Sequence, residues 1–217
     1  MDFTDTDISP DPIARNPIAR LRRLAQPRPV EERCELCSAA LAPEHQHLLK
    51  PEKRQLFCAC DACAVLFGNG QTGQYRRVPR RIEYWPGFRI DDVQWDALGI
   101  PITLAYFFHS TPAQQVMAMY PSPAGATETT LPADVWQLLV DDNPALATLE
   151  PDVEALLVNR VGGARDYYRA PIDECFKLVG LIRTHWRGLH GGSEAWAQIE
   201  TFFASLKARS VKPRAHA

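Results

Sequence analysis

The residues best suited to chemistry are cysteines, and most of them lie close together. Of the 6 cysteines in the chain, Cys34 and Cys37 form CELC, and Cys58, Cys60 and Cys63 crowd into LFCACDAC. A C-x-x-C pair works as a metal claw because a tight turn brings two thiolates to one ion. Two claws folded together supply the four-sulfur tetrahedron that zinc favours, with metal–sulfur bonds of about 2.3 Å. Cys34/Cys37 and Cys60/Cys63 are separated by residues 38–59, a spacing typical of zinc ribbons and knuckles. These four residues are therefore the expected metal ligands, and Cys58 is the odd one out. In an extended approach to the second claw, Cys58 and Cys60 share a face. Cys58 is accordingly expected to sit beside the site as an unligated thiol, its alternative being to replace Cys60.

His45 and His47 in EHQH lie in the same loop. A four-cysteine site needs neither, so both are expected at the surface or outside the ligand set, with His47 able to donate a hydrogen bond to a cysteine sulfur. Iron is the competing metal, because a mononuclear iron site or a cluster takes the same four thiolates. Rubredoxin-like claws carry Gly or Pro around the cysteines, which CELCSA and CDACAV lack, and that favours zinc. Four protein ligands leave no open coordination position, so the expected role is structural, with no catalytic residue and no organic cofactor assigned.

Other motifs carry less. GNGQTG, residues 68–73, matches G-x-G-x-x-G in form, but QYRRVPRR follows it and Pro79 blocks the helix a dinucleotide site requires. It is expected to be a loop. Cys175 and His185 fall on one predicted helix about 15 Å apart by helical rise, too far for a nucleophile–base pair. Cys175 then belongs to an apolar stripe. His109 and His190 stand without an acid–base partner, and no positive case for an enzyme emerges. The arginines of RRVPRR (Arg76, Arg77, Arg80, Arg81), with Tyr75, Tyr84 and Trp85 nearby, could hold single-stranded nucleic acid, but the net charge of −2 over 217 residues argues against a dedicated nucleic-acid protein.

Composition suits one globular chain with a small metal-stabilised lobe. Residues 129–158 carry Asp134, Asp141, Asp142, Glu150, Asp152 and Glu154 with no Lys or Arg, whereas 201–217 are basic. The acidic start, MDFTDTDISPDP, lacks the apolar core of a secretory signal, and no window approaches a membrane span. The expected compartment is the cytoplasm, where close cysteine pairs bind metal sooner than they form disulfides.

The elements that must position the cysteines follow. Residues 1–30 are broken by prolines and read as a disordered or extended arm, with a short basic helix at 18–25. Residues 31–73 form the four-cysteine zinc-binding module, and 74–217 an α+β domain. Within that domain, ITLAYFFHS and QQVMAMYP make a hairpin turned by STPA. PSPAGATETT is a loop, ADVWQLLVDD a helix, and VEALLVNRV a strand. PIDECFKLVGLIRTHW starts with Pro and two acids, as a helix N-terminus does, and buries Ile172, Cys175, Val179, Ile182 and Trp186. Ser193 caps the last helix, whose stripe is Trp196, Ile199, Phe203 and Leu206. The fold class is α+β: a zinc-ribbon or knuckle module, then a small antiparallel sheet packed with C-terminal amphipathic helices.

The segments RCELCSAALAPEHQHLL, LFCACDACAVLF, YRRVPRR, YPSPAGATE, VEALLVNR and PIDECFKLVGLIRTHWRGLHGG together resemble an uncharacterised bacterial family, a domain of unknown function associated with [NiFe]-hydrogenase gene clusters. The likeness covers most of the chain after residue 30. It implies a role near hydrogenase maturation, assembly or electron transfer and carries over no catalytic residue. With the closed metal site, the expected protein is a non-catalytic zinc-binding accessory factor whose protein partner is a hydrogenase subunit or maturation factor. It also marks YPSPAGATE as a family signature, either a partner-contact loop or an ordered loop packed on the metal lobe. The alternatives from the residues alone stay open: an iron-binding redox or metal-delivery protein using the same cysteines, or a nucleic-acid-binding zinc ribbon.

Overall fold

The computed structural model describes residues 31–68, 74–122, 125–188 and 191–212. The expectations for the arm at 1–30, for most of GNGQTG and for His190 lie outside these. The strands are β1 Gln46–Lys50, β2 Gln55–Ala59, β3 Arg76–Arg77, β4 Glu83–Tyr84, β5 Leu104–Ser110, β6 Gln115–Ser122, β7 Gly125–Thr130, β8 Glu154–Asn159 and β9 Asp166–Pro171. The α-helices are α1 Asp61–Phe67, α2 Asp92–Ala97, α3 Ala133–Asp142, α4 Ile172–His185 and α5 Gly192–Arg209. Strands β2-β1-β3 form a small sheet in the cysteine lobe, and β4-β9-β8-β5-β6-β7 form a six-stranded sheet, with antiparallel pairing throughout the paired strands. Both sheets belong to one unit, Arg33–Ala217. The fold is α+β.

Side chains alternate across a strand, so a strand covered on both faces loses its polar half. This is why LAYFFHS and EALLVN are almost continuously apolar. Tyr106 and Phe108 of β5 point into one core with Leu157 of β8, Tyr168 of β9 and the inner faces of α4 and α5. Ala105 and Phe107 point the other way, into a second core with Leu156, Val158, Trp95 of α2 and Leu139 of α3. The six-stranded sheet is thus the middle layer between two pairs of helices.

The structure corrects several expectations. PSPAGATETT is not a loop: Ser122 pairs with Gly125 and Met117 with Thr130, so its later half is edge strand β7. Its half-exposed alternation of Thr and Glu gives β7 no apolar signature. Ser193 does not cap α5. Gly191 is the residue before the helix, at φ 84°, and no side chain caps that end. A Cβ on Gly191 would lie 3.0 Å from the Trp186 ring, so the close approach demands glycine as the backbone does. The α5 stripe turns on Ala195, Ile199, Phe202, Phe203 and Leu206, while Trp196 is 41% exposed. The buried positions of α4 are Ile172, Cys175, Leu178 and Ile182, with Val179 and Trp186 packed at the margin. Two of the acids in the acidic stretch, Asp152 and Glu154, are buried rather than solvated.

Candidate metal centre

The first claw is a tight turn. The Ser38 N–H donates to the Cys34 carbonyl (2.7 Å) and the Cys34 N–H to that of Ala39 (2.8 Å). Ser38 sits in the left-handed region at φ 64°, and Arg33 bridges Ala40 across the turn. The second claw opens a helix. Cys60 is the extended residue before α1, its carbonyl accepts from the Ala64 N–H at 2.9 Å, and Cys63 falls in the first turn. Glu35 ties the claws to the hairpin: its N–H donates to the Cys58 carbonyl, and its carboxylate accepts from the Cys58 N–H.

These local structures bring Cys34, Cys37, Cys60 and Cys63 together, with all four sulfurs within 4.8 Å of one another. The edge of a tetrahedron with 2.3 Å bonds is about 3.8 Å, and the Cys37 and Cys60 sulfurs stand 3.7 Å apart. The four cysteines therefore make a cluster that can hold a metal ion, and all are free thiols. Cys34 and Cys63 are buried while Cys37 is exposed.

The charge pattern fits a cation. Burial works against ionisation of Cys34, but backbone N–H groups of Cys60, Leu36 and Cys37 outweigh it and lower its pKa to about 6. Burial and the neighbouring thiols of Cys37, Cys60 and Cys34 push Cys63 up to about 12. One thiolate thus forms easily and opposes the next. A divalent cation among the sulfurs is the charge that lets all of them ionise together.

Cys58 does not join this set, nor do His45 and His47. Their ligand atoms form a separate group, again within 4.8 Å of one another. The hairpin explains the separation. Leu48 faces Phe57 and packs in the cysteine lobe beside Cys34, Cys63 and Ala64. Leu49 faces Leu56 and packs toward the large sheet. His47 faces Cys58 in register, two residues from that pair and hence on the same side. The partner holding His47 through Nδ1 is not a cysteine but the carboxylate of Asp173 on α4, at 2.6 Å.

Two more contacts join the lobe to the sheet. Arg76 donates to the Pro151 carbonyl (2.7 Å) and pairs with buried Asp152 (3.3 Å). Arg54, at φ 48° in the hairpin turn, grips the Glu128 carboxylate of β7 with its two terminal guanidinium nitrogens. So YPSPAGATE does touch the lobe, through the strand it becomes. The Arg54 hydrogen bond holds the Glu128 carboxyl below its ordinary range against a smaller burial effect. A depressed folded-state pKa gives stability that is present above the unfolded-state value and lost as pH falls through the folded one. Glu128→Gln is therefore expected to cost about 0.5–1 kcal/mol at neutral pH, since both partners are partly exposed. The gap from wild type should close on acidification, read from urea midpoints across pH 7 to 3.

Cys175 is fully buried in the core, where burial and the charges of Asp173 and Glu174 raise its pKa well above the ordinary value. His185 is held by Glu194 at 2.9 Å. Of the RRVPRR arginines, Arg76, Arg77 and Arg81 reach Asp152, Gln46 and Glu154. Among the described residues, no helix is long and apolar enough to cross a membrane.

A lobe whose four cysteines can hold a metal ion, on a three-layer α+β body, is the class of protein this geometry defines. The model of a family of unknown function, DUF5947, matches residues 33–210, and the chain belongs to that family. No curated protein and no solved structure matches it.

Proposed function

We propose that Cys34, Cys37, Cys60 and Cys63 hold one structural zinc ion, and that the protein is a non-catalytic accessory factor which docks on a protein partner of a [NiFe]-hydrogenase system. The convergence of four sulfurs within 4.8 Å carries the reading: four protein donors saturate a tetrahedral ion and leave no place for substrate. The zinc orders the lobe, and two candidate docking surfaces follow in a cytoplasmic setting: the lobe itself and, on the other face of the six-stranded sheet, the exposed acids Asp134, Asp141 and Asp142 of α3. The internal engagement of Arg76, Arg77 and Arg81 supports a protein partner over nucleic acid, whose phosphates need free cations. The hydrogenase assignment rests on the family resemblance.

The test has two parts. Protein purified without air should be colourless and carry zinc; thiolate-to-iron absorption bands would instead favour the redox or metal-delivery reading. Deleting the gene from a host with a [NiFe] hydrogenase should lower hydrogenase activity, restored by the wild-type gene and not by Cys34→Ser/Cys63→Ser. Unchanged activity on deletion would sink the hydrogenase role.

A further inference from the structure

We infer that His45, His47 and Cys58 form a second metal site, separate from the four-cysteine cluster: two imidazoles and a thiolate around a divalent ion, with a fourth position open to a cleft. The three ligand atoms lie within 4.8 Å of one another. A tetrahedral ion with bonds of about 2.0–2.3 Å separates its ligands by about 3.3–3.8 Å, so closure needs side-chain shifts of about an ångström. The hairpin supplies the geometry, since His47 and Cys58 are direct cross-strand partners and His45, just before β1, sets its ring edge-on to that of His47 with centroids 5.0 Å apart. The four-cysteine cluster packs with Leu48 on the other side of that hairpin, so the two sites do not compete for donors.

The hydrogen-bond partners of the rings point the same way. His45 Nδ1 lies 3.0 Å from the Ala42 carbonyl, which can only accept, so Nδ1 carries the proton. His47 Nδ1 lies 2.6 Å from the Asp173 carboxylate, which fixes its proton in the same place. In each neutral ring Nε2 is then the lone-pair nitrogen, as metal binding requires. A carboxylate behind a ligating imidazole is the usual outer partner of such sites: it sets the ring's orientation and raises its basicity. Asp173 reaches this position from the first turn of α4, 126 residues away in sequence.

The site is also accessible. The His47 and Asp173 side chains are 31% and 23% exposed, and a cleft of about 440 Å³ bordered by His45, His47, Asp173, Arg80 and Lys177 leads to them. With His45 and His47 bordering that cleft, a three-donor set leaves the fourth position to water or another exchangeable ligand, in contrast to the closed four-sulfur set. A nitrogen–nitrogen–sulfur donor set selects zinc-like borderline ions over calcium or magnesium.

Cobalt(II) tests this on the full-length protein. After saturation with cobalt(II) and desalting, total divalent metal should be two equivalents per chain in wild type and one in His47→Ala and in Cys58→Ser. Each variant should keep its wild-type far-ultraviolet spectrum. Asp173→Asn, which removes no ligand, should weaken the second equivalent about 10–100-fold in a chelator competition. A wild-type total of one would overturn the site while leaving the four-sulfur site standing. A total of two that survives both His47→Ala and Cys58→Ser would overturn it as well.

Discussion

Stripping the metal with a chelator, or replacing Cys34 and Cys63 together by serine, is expected to melt residues 33–68 while the six-stranded sheet stays folded. The lobe's own core consists of Cys34, Leu48, Ala59, Cys63 and Ala64. Two of these five are thiols of the cluster, two are alanines, and only Leu48 buries a large side chain. Segments below about 40 residues usually need a metal or disulfide to offset chain entropy, and this lobe has five free thiols, four of them clustered, in place of disulfides. The large sheet has two cores, to the first of which the hairpin lends Leu49 and the partly buried Leu56, and neither core takes a residue from the claws. Hydrogen exchange should therefore show amides of β1, β2 and α1 exchanging as in an unfolded chain, with β5 and β8 still protected. Global unfolding would mean that the lobe's contacts at Arg54, Arg76 and His47 hold the sheet together; full protection would mean the cluster is not what orders the lobe.

Arg169→Leu is expected to cause the largest loss of stability of any single change outside the lobe, about 3–5 kcal/mol. Arg169 is 5% exposed in β9, and its Nε donates at 2.9 Å to Glu154 of β8, itself 1% exposed. It also lies 3.6 Å from Glu83 of β4 and donates to the Thr148 carbonyl. One guanidinium thus neutralises carboxylates from two neighbouring strands, and removing it leaves Glu154 buried with Arg81, at 3.4 Å, as its remaining cation among the described residues. The double variant Arg169→Leu/Glu154→Leu should regain much of the loss, because deleting both partners of a buried pair avoids the stranded charge. Urea midpoints of the two singles and the double give the coupling energy. Additive losses would show that the pair contributes through packing and not charge.

This ion pair also shows where the sequence stops being legible. The C-x-x-C claws are local, so their spacing announces the cluster before any fold is known. Strands β5, β6 and β8 and helices α3 to α5 announce themselves through apolar runs and helical periodicity. Strand β9, DYYRAP, hides because Asp166 and Arg169 look like surface residues, and Arg169 is tolerable inside only beside Glu154 and Glu83, which arrive from distant segments. Strand β7 hides because an edge strand of Thr and Glu buries little. Helix α2 is missed though its signal is present: Asp91 and Gln94 form a reciprocal capping box. The grouping of Cys58 with His45 and His47 depends on hairpin register and on Asp173 from α4, neither of which local alternation reveals. Alternation placed Cys58 beside Cys60, but β2 ends at Ala59 and the chain turns at Cys60 into α1, which sends the two sulfurs to different groups.

The most direct measurement is metal content per chain, with an absorption spectrum, on protein purified without air and washed with a mild chelator. Wild type and Cys58→Ser should both retain one tightly held, colourless zinc, and Cys37→Ser/Cys60→Ser should have none. A folded wild-type protein without metal, or a metal that persists when Cys37 and Cys60 are gone, would contradict the four-sulfur zinc site.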